Sequence, residues 1–320
     1  MKICLSRREA LLALAAMAGS VATVHLGGPP VFAQAAAPAR RTRLILLGTD
    51  GGPRPKKTRS APAQVILVDG VPYVIDCGNG VSRQLVLAGV PLGKLRYVFV
   101  THHHSDHNAD YGTLLLLSWA SGLKTPVDTY GPPPLAKMTE LALELNRYDI
   151  DTRIEDEGRV PLAPLIHPHE LTVPGLVMQD ERVKVTCALA NHPPVKPAFS
   201  YRFDTADRSI VISGDTTYSE SVIQLAKGAD VLVHEALMVS AVDRLIGFSP
   251  NASRLKEHII ASHTPIEEVG KVATQAGVKT LVLSHFVPGE DPAVTEQMWI
   301  DGARKHFSGE IIVGRDLLEI

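Results

Sequence analysis

The amino-acid sequence predicts a four-layer αββα sandwich, an α/β fold with two β-sheets face to face and helices on their outer sides. Three observations carry that expectation. Two β-rich halves follow one another, each half brings its own helices, and 320 residues, 45% of them hydrophobic, suffice for a packed core of that size. No short-period repeat points to a solenoid or propeller instead.

Taken in order, residues 1–35 read as a removable export signal. Lys2, Arg7 and Arg8 precede an apolar run over residues 11–24, and Ala33-Gln34-Ala35 offers a small-x-small cleavage site. Ser6-Arg7-Arg8 followed by Leu11 resembles a twin-arginine signal, with Ala10 where a bulkier apolar residue is common. The run is short for a bilayer crossing, so no stable membrane span is expected after cleavage, and the destination is periplasmic. Cleavage changes the net charge from −2 to −4, since 29 basic residues then face 33 acidic ones. No overall basic field would draw nucleic acid, so a polyanion would need a local patch. Of three cysteines only Cys77 and Cys187 would remain, too few for a disulfide scaffold, and they are expected as buried or free thiols.

Residues 36–320 form the predicted domain. Apolar runs at 44–47, 65–68, 74–75 and 98–100 have strand length and are bounded by Gly, Pro and Asp. Helical periodicity follows at 81–88, 114–121 and 135–148, the last with leucines three and four residues apart. The second half repeats the style, with strands at 183–189, 199–203, 210–213, 231–233 and 280–283 and helices at 219–227 and 266–276.

The chemistry concentrates in Thr101-His102-His103-His104-Ser105-Asp106-His107, directly after the strand at 98–100. Histidine and aspartate are zinc ligands, and alternate residues leaving a strand project to one side, so His102 and His104 can share an ion. Asp106 and His107 can then serve a second. Downstream, His192 in Ala-Asn-His-Pro-Pro, Asp215 in Ser-Gly-Asp-Thr and His285 in Leu-Ser-His-Phe each follow a strand-like run. Singly, each is as readily a core, surface or turn residue.

In this order and spacing the motifs resemble those of the metallo-β-lactamase superfamily. The resemblance implies that fold, with two zinc ions as cofactors and manganese or iron as alternatives. It assigns His102, His104 and His192 to one ion and Asp106, His107 and His285 to the other, with Asp215 bridging. His104, where di-iron redox members carry a glutamate, is similar to the hydrolytic members.

Further segments resemble ribonuclease Z and its arylsulfatase-like and phosphodiesterase relatives: Val74-Ile75-Asp76-Cys77-Gly78, Phe199-Ser200-Tyr201-Arg202-Phe203, His234-Glu235-Ala236-Leu237 and Ser262-His263-Thr264. The resemblance implies that Glu235 orients His263, which protonates the departing oxygen. Thr264, Pro265 and Glu267 suggest a capping box opening the next helix, with His263 beside its N-terminus. His258, His167, His169 and His306 lack such context and read as surface residues. Pro55-Lys56-Lys57-Thr58-Arg59-Ser60 resembles the group's Pro-x-Lys-x-Arg-Asn loop, and Lys57 and Arg59 could clamp an anionic substrate; a solvated basic loop is the bland alternative.

Two features speak against tRNA as a partner. The segment from Phe203 through Asp204-Thr205-Ala206-Asp207 to Arg208 turns straight into the next strand, leaving no room for a tRNA-binding arm, and the chain is expected outside the cytoplasm. The expected function is therefore hydrolysis of a small anionic ester, sulfate or phosphate, by a hydroxide held between two zinc ions, with Asp106, His263 and Glu235 as catalytic residues. A ribonuclease Z-like endonuclease or cyclic phosphodiesterase is the alternative, a lactone hydrolase the third reading, and a periplasmic zinc-binding protein the non-enzymatic one. A homodimer is left open.

Overall fold

The continuous apolar runs are strands buried on both faces, which is why they show no polar alternation. The computed structural model describes residues 41–320, which fall within one contact unit that starts at Arg40; the expected signal at residues 1–35 lies outside the described residues.

The first half runs β1 (Thr42–Gly48), β2 (Ala63–Val68), β3 (Val71–Ile75), α1 (Val81–Leu87), β4 (Tyr97–Phe99), α2 (Ser105–Asn108), α3 (Tyr111–Ala120), β5 (Val127–Gly131), α4 (Leu135–Leu145), α5 (Arg147–Glu157) and β6 (Ile166–Glu170). The second half runs β7 (Gly175–Gln179), β8 (Val183–Leu189), β9 (Phe199–Thr205), β10 (Ser209–Ile212), α6 (Glu220–Leu225), β11 (Val231–Leu237), α7 (Val242–Ile246) and α8 (Leu255–Ser262). It ends with α9 (Ile266–Ala276), β12 (Thr280–Val287), α10 (Glu296–Arg304) and β13 (Glu310–Val313). Strand order is β1-β2-β3-β4-β5-β6 in one sheet and β13-β12-β11-β10-β9-β8-β7 in the other. In each, an antiparallel stretch gives way to parallel strands, from β3 to β6 and from β10 to β13.

Side-chain parity sorts the core into layers. Leu44, Leu46, Ile66 and Val68 face the second sheet and pack with Tyr201, Phe203, Ile210 and Val233. Their neighbours Ile45, Leu47, Val65 and Leu67 face outward onto Leu85 of α1 and Leu114 and Trp119 of α3. On the far side Val211, Leu232 and Leu281 pack beneath α6, α9 and α10 through Ile223, Val269 and Trp299. The four-layer αββα sandwich expected from the sequence is the fold observed.

Some local expectations change. The helix expected over 135–148 is two helices, α4 and α5, broken at Asn146, whose side-chain amide donates to the Ala142 carbonyl at 2.8 Å. The capping box before α9 does not form. Thr264 instead donates its hydroxyl to the Thr216 carbonyl at 2.6 Å, and Pro265 is the N-cap without a side-chain hydrogen bond. The turn from Phe203 to Arg208 is the β9–β10 hairpin, with no inserted arm, and Cys77 and Cys187 are buried free thiols.

Candidate metal centre

Every predicted ligand but His285 sits where a strand ends or a helix begins. His102 and His104 lie on the segment leaving β4, and the short helix α2 presents Asp106 and His107 one residue apart. His192 follows β8. Asp215 follows β10 across Gly214, whose φ of 59° and whose closeness to Thr101, 3.0 Å from where a Cβ would sit, call for glycine. His285 lies within β12 as an extra residue: Glu235 pairs with Ser284 and Ala236 with Phe286. That bulge, with φ of 44° at His285, swings the imidazole out of the ladder and into the cluster.

The donor atoms converge. His104 Nδ1 lies 3.1 Å from both His102 Nε2 and His192 Nε2, and Asp215 Oδ2 is 3.8 and 3.9 Å from those two nitrogens. In the second group Asp215 Oδ1 is 3.2 Å from Nε2 of both His107 and His285, while Asp106 Oδ2 is 3.5 and 3.4 Å from the same atoms. Zinc held tetrahedrally at its usual bond lengths sets its ligand atoms about 3.3 Å apart, close to these separations. The two oxygens of Asp215 face different groups, the placement a bridging carboxylate requires.

Hydrogen bonds alone do not account for the geometry. His192 Nδ1 is 2.8 Å from the Ser262 carbonyl and must donate to it, which leaves a lone pair on Nε2 aimed at His104. One Nδ1 proton on His104 cannot satisfy two such neighbours, whereas one cation can. Buried His107 Nε2 and Asp215 Oδ1 likewise have no hydrogen-bond partner despite their closeness. His107 Nδ1 is engaged behind the cluster by Asp76 Oδ2 at 2.8 Å, which points Nε2 inward.

Protonation follows the surroundings. Burial, helped by the neighbouring imidazoles, holds His102 well below its ordinary value and His104 down at about 4, so both are neutral and ligand-ready. Burial works against ionisation of Asp106 and Asp215, yet His107 and His285 outweigh it and keep both carboxylates ionised. Those two imidazoles are raised in turn: burial opposes their charge and the carboxylates overcome it.

Beside the cluster, His263 Nδ1 is 3.1 and 3.0 Å from the two carboxylate oxygens of Glu235, whose Oε1 also accepts from the Thr216 amide at 2.7 Å. Burial would depress His263, but Glu235 prevails and pushes it up to about 9. Asp106 is steadied by the Gly52 amide at 3.0 Å.

A cavity of about 350 Å³ opens onto this wall. The structure brings Lys56 to it, not Lys57 or Arg59. The Arg59 guanidinium is spent on Thr49 Oγ1 at 2.6 Å, on the Gly314 carbonyl at 2.9 Å and on the Phe286 ring, so it is packed behind the site, and Lys57 is exposed away from the cavity. Lys56, nearly buried, pairs with Asp50. His258, read from sequence as a surface residue, is half-buried in the cavity wall with its ring 5.8 Å from His104 and 6.4 Å from His263. No spacing in the sequence marks it, since α8 ends at Ser262 and His263 is the extended residue that caps it. Sequence reasoning also assigned no role to Asp76.

Comparison with known proteins agrees with the fold. A family model described as a beta-lactamase superfamily domain matches residues 72–286. Ribonuclease Z of Mycobacterium bovis (strain BCG / Pasteur 1173P2) is 35% identical, covering 86% of this chain and 96% of that one; ribonuclease Z of Mycobacterium tuberculosis H37Rv is 34% identical over the same shares. Among solved structures, the short form of human tRNase Z superposes with a TM-score of 0.63 at 24% identity, covering 87% of this chain and 98% of that one. The metallo-β-lactamase fold protein YhfI from Bacillus subtilis gives 0.64 at 20% identity, with the same coverage.

Proposed function

The chain belongs to the β-lactamase superfamily, as a metallo-hydrolase related to ribonuclease Z, and on that premise we propose that it cleaves phosphodiester bonds at a pair of zinc ions. The observation that carries the reading is the convergence of seven ligand-type residues, six buried and His104 half-buried, at zinc-like separations around Asp215. The ribonuclease Z relatives favour phosphate over sulfate esters, and the ribonuclease Z-like alternative over the arylsulfatase reading. They also weigh mildly against the expectation that tRNA is not a partner.

His102, His104 and His192 would hold one ion, and Asp106, His107 and His285 the other, with Asp215 shared. Bound there, the metals would supply Lewis acidity, lower the pKa of water and neutralise charge on the non-bridging phosphate oxygens. The chain's own groups do the rest. Asp106, fixed by the Gly52 amide, orients the attacking water and takes up its proton. The water oxygen bonds to phosphorus, the ester P–O bond breaks, and its electron pair leaves with the departing oxygen. His263, protonated through neutral pH and held by Glu235, donates the proton that makes this oxygen an alcohol.

Replacing His263 by Ala tests this division of labour, because it removes no ligand of either ion. Both metals should stay bound, hydrolysis of an ester with a high-pKa alcohol should slow by about 10²–10⁴-fold, and a nitrophenolate ester should lose far less. Equal rates with wild type on both esters would show His263 to be structural.

A further inference from the structure

The cavity has two unlike ends. One is the donor wall of His104, Asp106, Asp215 and His285; the other is largely apolar, built by Leu245 of α7, Leu255 and Ile259 of α8, and Val287 at the end of β12, with Ser249, Asn251, Arg54 and Lys56 also on the cavity wall. The four apolar residues belong to a small hydrophobic cluster of their own, which packs α7 and α8 together over the site. Arg54, from the loop after β1, stacks 4.8 Å from the ring of Phe248 in the α7–α8 connection, so the two segments meet across the mouth.

Helix geometry ties the apolar end to the chemistry. Leu255 and Ile259 are four residues apart, one turn of α8, and His263 is the extended residue that caps the end of that helix; all three line the cavity. The group that delivers the proton therefore stands at the end of the apolar stripe. Whatever alcohol departs beside His263 lies along Leu255 and Ile259, with His258 on the same face.

Resting on the phosphodiesterase reading, we propose that the α7–α8 cover forms a leaving-group subsite that selects phosphodiesters whose departing alcohol is compact and apolar, an aryl or short alkyl group. The subsite admits one such group at a time: the cavity of about 350 Å³ is at the small end of ligand pockets. A departing ribose, with its hydroxyls and the next phosphate, would strand polar groups against Leu245, Leu255 and Ile259.

The experiment uses the full chain reconstituted with zinc and two aryl methyl phosphodiesters whose phenols have equal pKa, one with an alkyl substituent and one with a carboxylate. Equal acidity removes intrinsic reactivity from the comparison. kcat/KM should favour the apolar ester by at least about tenfold, the lower end of what shape and polarity fit to an apolar pocket provides. Leu255→Lys should reduce that preference or reverse it. In parallel, calorimetry should show phenylphosphonate binding at least tenfold more tightly than methylphosphonate, with the margin lost in Leu255→Lys. Hydrolysis of both esters without preference, together with equal binding of the two phosphonates, overturns the subsite and leaves the phosphodiesterase reading standing. Tighter phenylphosphonate binding that Leu255→Lys abolishes, with neither ester hydrolysed, keeps the subsite and overturns the reaction instead.

Discussion

Asp76 is the residue whose replacement separates a built metal centre from a chance gathering of histidines. It sits at φ 60° in the turn after β3, a conformation that asparagine tolerates, so Asp76→Asn should keep the backbone. Its Oδ1 accepts from the Thr101 amide at 2.8 Å, and its Oδ2 faces His107 Nδ1 at 2.8 Å. An asparagine that keeps its oxygen toward Thr101 must turn its NH2 toward His107. Nδ1 then becomes an acceptor, the ring proton moves to Nε2, and Nε2 is blocked as a ligand of the second ion. Loss of such an outer partner costs about 10–100-fold in metal affinity, about 1.4–2.7 kcal/mol. Competition of the metal-free protein against a chromophoric zinc chelator reads each site separately. The site of Asp106, His107 and His285 should weaken by that factor while the site of His102, His104 and His192 stays unchanged. Wild-type affinity at both sites, or equal loss at both, would refute the reasoning.

Two further outcomes follow from other parts of the molecule. Lys56→Met strands buried Asp50, whose carboxyl burial already pushes up to about 6 against the pull of Lys56; about 3–5 kcal/mol of stability should be lost. Because Asp50 holds its proton more tightly folded than unfolded, its contribution is fullest below the usual carboxylate range and is lost as pH rises through about 6, so denaturant midpoints should show a larger deficit at pH 8 than at pH 5. We also propose that residues 1–35 direct export by the twin-arginine route: the protein should be found in the periplasm, and Arg7→Lys with Arg8→Lys should retain it in the cytoplasm on fractionation.

The residues that converge in the cluster were legible because metal chemistry leaves little choice of residue type and most of them lie just past a strand. The layers were legible for a related reason: strands buried on both faces are written as unbroken apolar runs. β6, Ile-His-Pro-His-Glu, and β7, Gly-Leu-Val-Met-Gln, were not read, since they are largely exposed edge strands that need no apolar pattern. Arg59 was misread because a loop sequence does not show that its guanidinium will find Thr49 and the Gly314 carbonyl, the latter 255 residues away in the chain. His258 and Asp76 needed the packed structure. One gains its setting only when α8 folds over the cluster, and the other only when β3 and β4 lie side by side.

The most direct test of a two-metal phosphodiesterase is to add zinc stepwise to metal-free protein while following hydrolysis of bis(p-nitrophenyl) phosphate. The donor geometry around Asp215 predicts that activity rises steeply only as the second equivalent binds and levels off at two per chain. Full activity at one equivalent, or no hydrolysis of the diester with two ions bound, would contradict it.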